Sequence, residues 1–394
     1  MKITAVRFTP VSVPFKQTEI WHYGKRDGIS NIIIELETDI GLTGLGEAVG
    51  FPSAPLIAKV VEAMAPSLIG QDPHHVEKIT NNLYMHRGWH YFRYIGNCAI
   101  AGLEMALWDL IGKAADQPVC NLLGGPVMER VPFYYSVPFR RPEEIMECVR
   151  LAVTKGFNTI YLKVGISERE DLAMVSATRE AAGPDINVRV DANEAWTQTE
   201  AIRIIRLLEP YDLEFVEQPV NMYDIGAMAR VRSAVRTPIA ANQTSWLEYQ
   251  VMDIIRRQAA DVIVTDPHQV GGLLAFKKVC ALSALAGISV NKHTFGDFGI
   301  STSAGLQVIC TSSNVTMASQ THLHFLAHDI IKKPFQFDDS GALVVPQGPG
   351  LGVELDPELI QEAHARYLSE GEYSPFGHSL ATDNIKHTLK GGII

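Results

Sequence analysis

The chain has 394 residues, enough for two ordinary domains or for a barrel with an addition. Hydrophobic residues make up 46% and charged residues 20%, the composition of a globular protein with a large core, which excludes disorder for the bulk of the chain. A net charge of −10 excludes nucleic-acid binding by phosphate neutralisation, but a small anionic substrate stays open because a bound cation can reverse the local field.

The first residues, MKITAVRFTPVSVPF, alternate polar and apolar side chains like a strand and lack the continuous apolar run of a secretory leader. No later run approaches the roughly 18 apolar residues of a membrane helix, so a cytoplasmic location and no membrane partner are expected. Strand-like runs cover Lys2 to Pro10, Asn31 to Glu37 and a stretch ending at Glu47 and Ala48, the last two joined by a turn near Asp39 to Gly41. GLTGLGEA has the glycines of a dinucleotide loop, but no helix opens directly after it, so it reads as a hairpin. Two or three helices follow, the clearest from Asn97 to Ala115. NLLGGP, from Asn121 to Pro126, then marks a junction. Residues 1–128 therefore read as an α+β capping domain.

From about residue 129 short β-rich runs alternate with helix-length segments: VPFYYSV, TIYLKV, NVRVD, EFVE, PIAAN, DVIVT, ISVNKH and NVTMAS. Eight such units favour a closed parallel barrel over an open sheet. The polar residues ending these runs are Ser136, Lys163, Asp191, Glu217, Asn242, Asp266, His293 and Gln320, spaced 27, 28, 26, 25, 24, 27 and 27 residues apart. A βα unit has about that length, so one functional group per strand falls on the C-terminal rim, where barrel active sites are built. The expected division is a cap over 1–128, a barrel over 129–325, and a segment 326–394 that ends the barrel and returns to the cap. Cys98, Cys120, Cys148, Cys280 and Cys310 lie far apart without a CxxC pair and read as free core thiols in a reducing compartment.

Asp191, Glu217 and Asn242 offer oxygen donors on three successive strands, a set that favours Mg²⁺. Gln243 is the rival to Asn242, because strand alternation sends only one of the pair into the barrel. Lys163 stands one strand before these groups, and His293 stands across the barrel with Asp266 placed to hold its ring. Two bases flanking one metal-bound carboxylate suit removal of the proton α to that carboxylate.

These residues carry a resemblance. YLKVG, RVDANEAW, VEQP, TDPHQVGG and NKHTFG resemble the barrel motifs of the enolase superfamily in order and spacing, while GLTGLGEA, AIAGLEMALWDLIGK, NLLGG and PGLGVELDPE resemble its cap and C-terminal motifs. The resemblance covers nearly the whole chain. It implies a modified TIM barrel, (β/α)7β, with a cap formed by the N-terminal part and the C-terminal segment. It also implies Mg²⁺ and a Lys or His base, with an enediolate held by the metal. Lys163 with Asp266 and His293 resembles the mandelate racemase group. PIAAN and TDPH resemble glucarate dehydratase, whose third metal ligand is an Asn, which favours Asn242.

One departure from the family is Tyr161, which stands where the usual Lys-x-Lys has its first Lys. A phenol replaces a cation beside Lys163, so Tyr161 joins Lys163, His293 and Asp266 as a candidate catalytic residue. The other is Asn242 itself, where most relatives have an acid. The expected substrate contacts are His22, Tyr23, Lys25, Trp89, His90, Ser136, Asn193, Gln243 and Gln320. The cap loops at residues 21–26 and 86–91 are polar, cationic and aromatic, which suits the hydroxyls of an acid sugar. His322, His324 and His328 read as loop and helix residues past the last strand.

The leading expectation is an acid-sugar dehydratase giving a 2-keto-3-deoxy acid. A two-base racemase or epimerase is the alternative, and a metal-binding relative without catalysis is a third. A Schiff-base aldolase on Lys163 would leave the row of oxygen donors without purpose. A homo-oligomer is expected, with a small carboxylate substrate as the ligand.

Overall fold

The computed structural model describes residues 1–21, 23–138 and 141–376. Strands β1 (Ile3–Trp21), β2 (Gly24–Thr38) and β3 (Thr43–Val49) form an antiparallel sheet in that order. β1 runs well beyond Pro10. It is an edge strand, so Pro10 and Pro14 sit in it without costing a central ladder its hydrogen bonds. The sheet packs on helix Arg93–Ala115. Gly46 and Gly44 of the GLTGLGEA run make that contact possible, since a Cβ there would lie 2.0 Å from the Gly102 carbonyl and 2.2 Å from that of Ala106. Contrary to the sequence expectation, Trp89–Ala115 is long and apolar enough to cross a membrane by composition; 89% of its apolar window is buried inside the fold, as befits a core helix.

The run VPFYYSV splits in two. Its first part, β4 (Arg130–Pro132), pairs antiparallel with β12 (Ala342–Val344), while Tyr135–Val137 is β5, the first barrel strand. β6 (Thr159–Lys163), β7 (Asn187–Asp191), β8 (Phe215–Glu217), β9 (Ile239–Ala241), β10 (Val262–Thr265) and β11 (Ser289–Lys292) continue a seven-stranded parallel sheet in sequence order. A helix follows each of the seven. The eighth run, NVTMAS, is not a regular strand. It closes the barrel through single bonds, with Gln320 N–H donating to the Lys292 carbonyl, Ser319 N–H to that of Pro132, and Tyr134 N–H to that of Ser319. The reason is local: the Ala318 carbonyl accepts from the buried Arg189 and Asn291 side chains.

After β12, helix Pro357–Glu370 packs on β1, and His364 and Gly371 bond to Pro10 and Ser12 of that strand. The cap is pinned to the barrel by Glu47 of β3. Its carboxylate accepts from the N–H groups of Phe298 (2.8 Å) and Ser301 (2.9 Å) at the start of helix Gly299–Ile309, and from Asn31 Nδ2 at 2.7 Å. Burial, with the Asp297 charge nearby, pushes the Glu47 carboxyl up to about 7. Glu47→Ala would orphan three buried donors, and should lower stability by about 3 kcal/mol or more in urea unfolding. An unchanged midpoint would contradict the pinning role.

Candidate active site

Parallel register brings Lys163, Asp191 and Glu217 side by side at the C-terminal ends of β6, β7 and β8. Asp191 and Glu217 are each 1% exposed. Asp191 Oδ2 accepts from Tyr161 Oη at 2.6 Å and from Lys163 Nζ at 2.7 Å, while its Oδ1 accepts from the Asn193 N–H at 2.8 Å. Glu217 Oε1, Asn193 Oδ1 and Gln243 Oε1 are buried without a hydrogen-bond partner. Burial and the Asp191 charge hold the Glu217 carboxyl well above the usual carboxylate range. Orphaned oxygens around two adjacent carboxylates, with no thiolate or imidazole among them, are the donor set of a hard dication, so these residues fit Mg²⁺.

The strand-alternation argument that set Asn242 against Gln243 does not apply. β9 ends at Ala241, and a 3₁₀ turn opens at Gln243, so both side chains reach the same cavity. Asn242 Nδ2 donates to the Val264 carbonyl at 3.2 Å, and this leaves its Oδ1 as the free end of the amide.

Lys163 and His293 both line a cavity of about 420 Å³ between the barrel rim and the cap. Burial holds the His293 imidazole well below its usual pKa, opposed by the Asp266 charge, so the ring is neutral and able to accept a proton. The expected Asp266–His293 hydrogen bond is not formed. Asp266 Oδ1 caps its own turn by accepting from the N–H (2.7 Å) and Nδ1 (2.9 Å) of His268, and Oδ2 faces Lys292 Nζ at 3.5 Å. His293 Nδ1 has no partner. Asp266 therefore acts on His293 through its charge. Asp266, His268 and Asp297 lie close enough to suggest a metal cluster, but the Lys292 ammonium already pairs with both carboxylates there.

Tyr161 is fully buried beneath the site and stacks on Tyr134 with ring centroids 4.6 Å apart. Burial and the Asp191 and Glu217 charges push its phenol well above the usual range, which keeps it a donor. Of the expected substrate contacts, Tyr23, Asn193, Gln243 and Gln320 line the cavity. Others do not. Lys25 is exposed on β2, and its neighbour Arg26 faces the cavity instead, as strand alternation requires. Trp89 packs among the cap helices. His90 bonds to the Tyr84 carbonyl at 2.8 Å in a separate cleft. Gly88, in the left-handed region at φ 75°, turns that segment away, and Tyr94 and Ile95 of the next helix line the cavity. Ser136 is buried opposite Tyr161, below the rim. His22 lies outside the described residues.

Several lining residues went unread in the sequence. Glu19 and Arg26 are cross-strand partners flanking a two-residue hairpin tip. Arg26 also contacts His322 Nε2 at 2.8 Å, so His322, expected as a plain loop residue, lines the cavity. The Arg26 charge holds the Glu19 carboxyl well below its usual range, against the pull of burial. The opposed charges seven residues apart were the available signal. The lid is also more aromatic than its composition implied. Trp21, Phe376, Phe51, Phe295 and Trp246 form a chain of ring contacts with centroids 4.7 to 6.1 Å apart. Its ends touch both bases: Lys163 Nζ lies 5.6 Å from the Trp21 ring and His293 packs edge-on to Phe295 at 4.7 Å.

Comparison with known proteins agrees with this arrangement. A profile of the mandelate racemase/muconate lactonizing enzyme N-terminal domain matches residues 4–124, and one described as enolase C-terminal domain-like matches residues 144–359. N-succinyl-L-Arg/Lys racemase of Bacillus cereus is 29% identical over 92% of this chain and 98% of its own. Arabinonate dehydratase of Saccharolobus solfataricus is 28% identical over 84% of this chain and 90% of its own. An enolase from Thermobispora bispora, solved with magnesium and formate, superposes with a TM-score of 0.90 at 29% identity, covering 99% of both chains.

Proposed function

Because the chain belongs to the mandelate racemase/muconate lactonizing enzyme family of the enolase superfamily, we propose that it is a Mg²⁺-dependent enzyme that moves the proton α to a substrate carboxylate, and that the transfer ends in epimerisation. The observation that carries this reading is the convergence of Lys163 and His293 on one cavity from opposite walls of the barrel. Asp191, Glu217 and Asn242 would hold the metal, whose charge would stabilise the carbanion that forms beside the carboxylate. Neutral His293 accepts the proton from one face of the α-carbon. Lys163 shares Asp191 Oδ2 with Tyr161, so it can leave that oxygen to the phenol and deliver a proton to the other face. Tyr161 thus positions Asp191 while Lys163 is away.

Dehydration of an acid sugar is the second reading. The polar lid that favoured it contains neither Lys25 nor His90, and the aromatic rings found there offer a polyol few hydrogen bonds. What still favours it is the corner of Glu19, Arg26 and His322, whose buried Nδ1 has no partner and could serve a hydroxyl. Product analysis separates the two. From an optically pure substrate the enzyme should give the epimer and no 2-keto acid; accumulation of a 2-keto acid would select dehydration.

The low pKa of His293 gives a pH prediction. A base already neutral at pH 7 loses activity only when the medium becomes acid enough to protonate it. The acid limb of kcat/KM should therefore lie well below 6.5, the imidazole's ordinary value. A limb at or above that value would contradict the assignment.

A further inference from the structure

Glu194 is a cavity-lining acid that the mechanism does not use. It follows Asn193, and both are non-glycine residues in the left-handed region, at φ 70° and 43°. Such backbone is retained where side-chain placement matters. Here it turns the Glu194 carboxylate to the place where the cap tip meets the loops after β7 and β8. Oε1 accepts from the Met222 N–H at 2.6 Å and Oε2 from Tyr23 Oη at 3.2 Å.

The charges around it are already matched. Glu19 is paired with Arg26, and Asp191 with Lys163. Glu194 makes no ion pair among the described residues, although burial raises its pKa and so makes an unmatched charge there costly. Arg26 is committed to Glu19, His322 and the Phe295 carbonyl, which leaves little for a second substrate carboxylate. Beside Glu194 stand three rings. Tyr23 lies at 73° to Trp21 and 89° to Phe376, with centroids 5.1 and 5.9 Å away, and all three line the cavity. Aromatic faces next to a carboxylate attract cations, and they do so more strongly when water is excluded.

We propose that Glu194, with Trp21, Tyr23 and Phe376, forms a subsite for a cationic nitrogen, so that the substrate is a zwitterion with its carboxylate at the Asp191–Glu217–Asn242 end and its cation under the cap tip. The inference rests on the reading of that trio as the carboxylate end of the site. It deepens the proposed function by assigning the charge of the substrate's other end.

The test uses the Mg²⁺-loaded full-length protein and two carboxylates of matched shape. In 4-(trimethylammonio)butanoate the far end is a cation; in 5,5-dimethylhexanoate a carbon replaces the nitrogen. Hexanedioate supplies a far-end anion. Calorimetry should find the betaine bound about tenfold or more tighter than the neutral acid, with the dianion weakest. Glu194→Gln should erase the preference while leaving the neutral acid's affinity unchanged, and Glu194→Asp should keep part of it. Equal or weaker binding of the betaine than of the neutral acid, no detectable binding of the betaine, or a preference that survives in Glu194→Gln would overturn the proposal. The readout is independent of turnover. A betaine preference without α-proton exchange in any carboxylate would sink the proton-transfer reading and leave the subsite standing.

Discussion

His293→Asn should bind Mg²⁺ and substrate normally and lose roughly 10²–10⁴-fold in kcat, the usual range for a missing acid–base group. The ring stands on β11's rim, neutral and with an unpartnered Nδ1, so asparagine removes the proton acceptor while keeping a polar side chain of similar reach. Asp266→Asn should cost less in kcat. Asp266 supports His293 by charge, but its hydrogen bonds hold His268 and its charge faces Lys292, so the variant should also lose stability. A His293→Asn protein with near-wild-type turnover would remove the two-base mechanism.

Glu217→Gln and Asp191→Asn should each abolish activity, together with metal binding. Loss of an outer-shell partner typically costs roughly 10–100-fold in metal affinity, and loss of a direct ligand at these buried positions should exceed that. Chelation should silence the wild-type protein and Mg²⁺ should restore it. The third donor is resolved by comparing Asn242→Ala with Gln243→Ala. The Asn242 amide is oriented by its bond to the Val264 carbonyl, so its loss should weaken Mg²⁺ more. The reverse ranking would assign the role to Gln243, whose Oε1 is equally without a partner.

The barrel was legible because its repeat is written in the chain: one βα unit takes about 24 to 28 residues, so a polar residue recurring at that spacing falls on one rim. Lys163, Asp191 and Glu217 lie in register on adjacent strands for that reason. The eighth run was read as a strand from its composition, but the buried Arg189 and Asn291 side chains take the Ala318 carbonyl, and composition does not record that. The lid was the least legible part. Its residues come from distant stretches, Trp21 from the cap hairpin, Trp246 and Phe295 from barrel loops and Phe376 from the C-terminal segment, and only the folded cap brings them together. Within the hairpin a one-residue difference in facing exchanged Lys25 for Arg26. The Asp266–His293 contact failed for a related reason. Adjacency at the rim was right, but the turn at Pro267 gave the carboxylate nearer donors in His268.

The central claim is that the enzyme breaks the bond to the α-proton of a carboxylate substrate. Proton NMR in D₂O measures this directly. With Mg²⁺ present, the α-proton signal of the substrate should disappear as solvent deuterium enters, and both chelation and His293→Asn should abolish the exchange. Conversion of substrate to product with the original α-hydrogen fully retained would contradict the account.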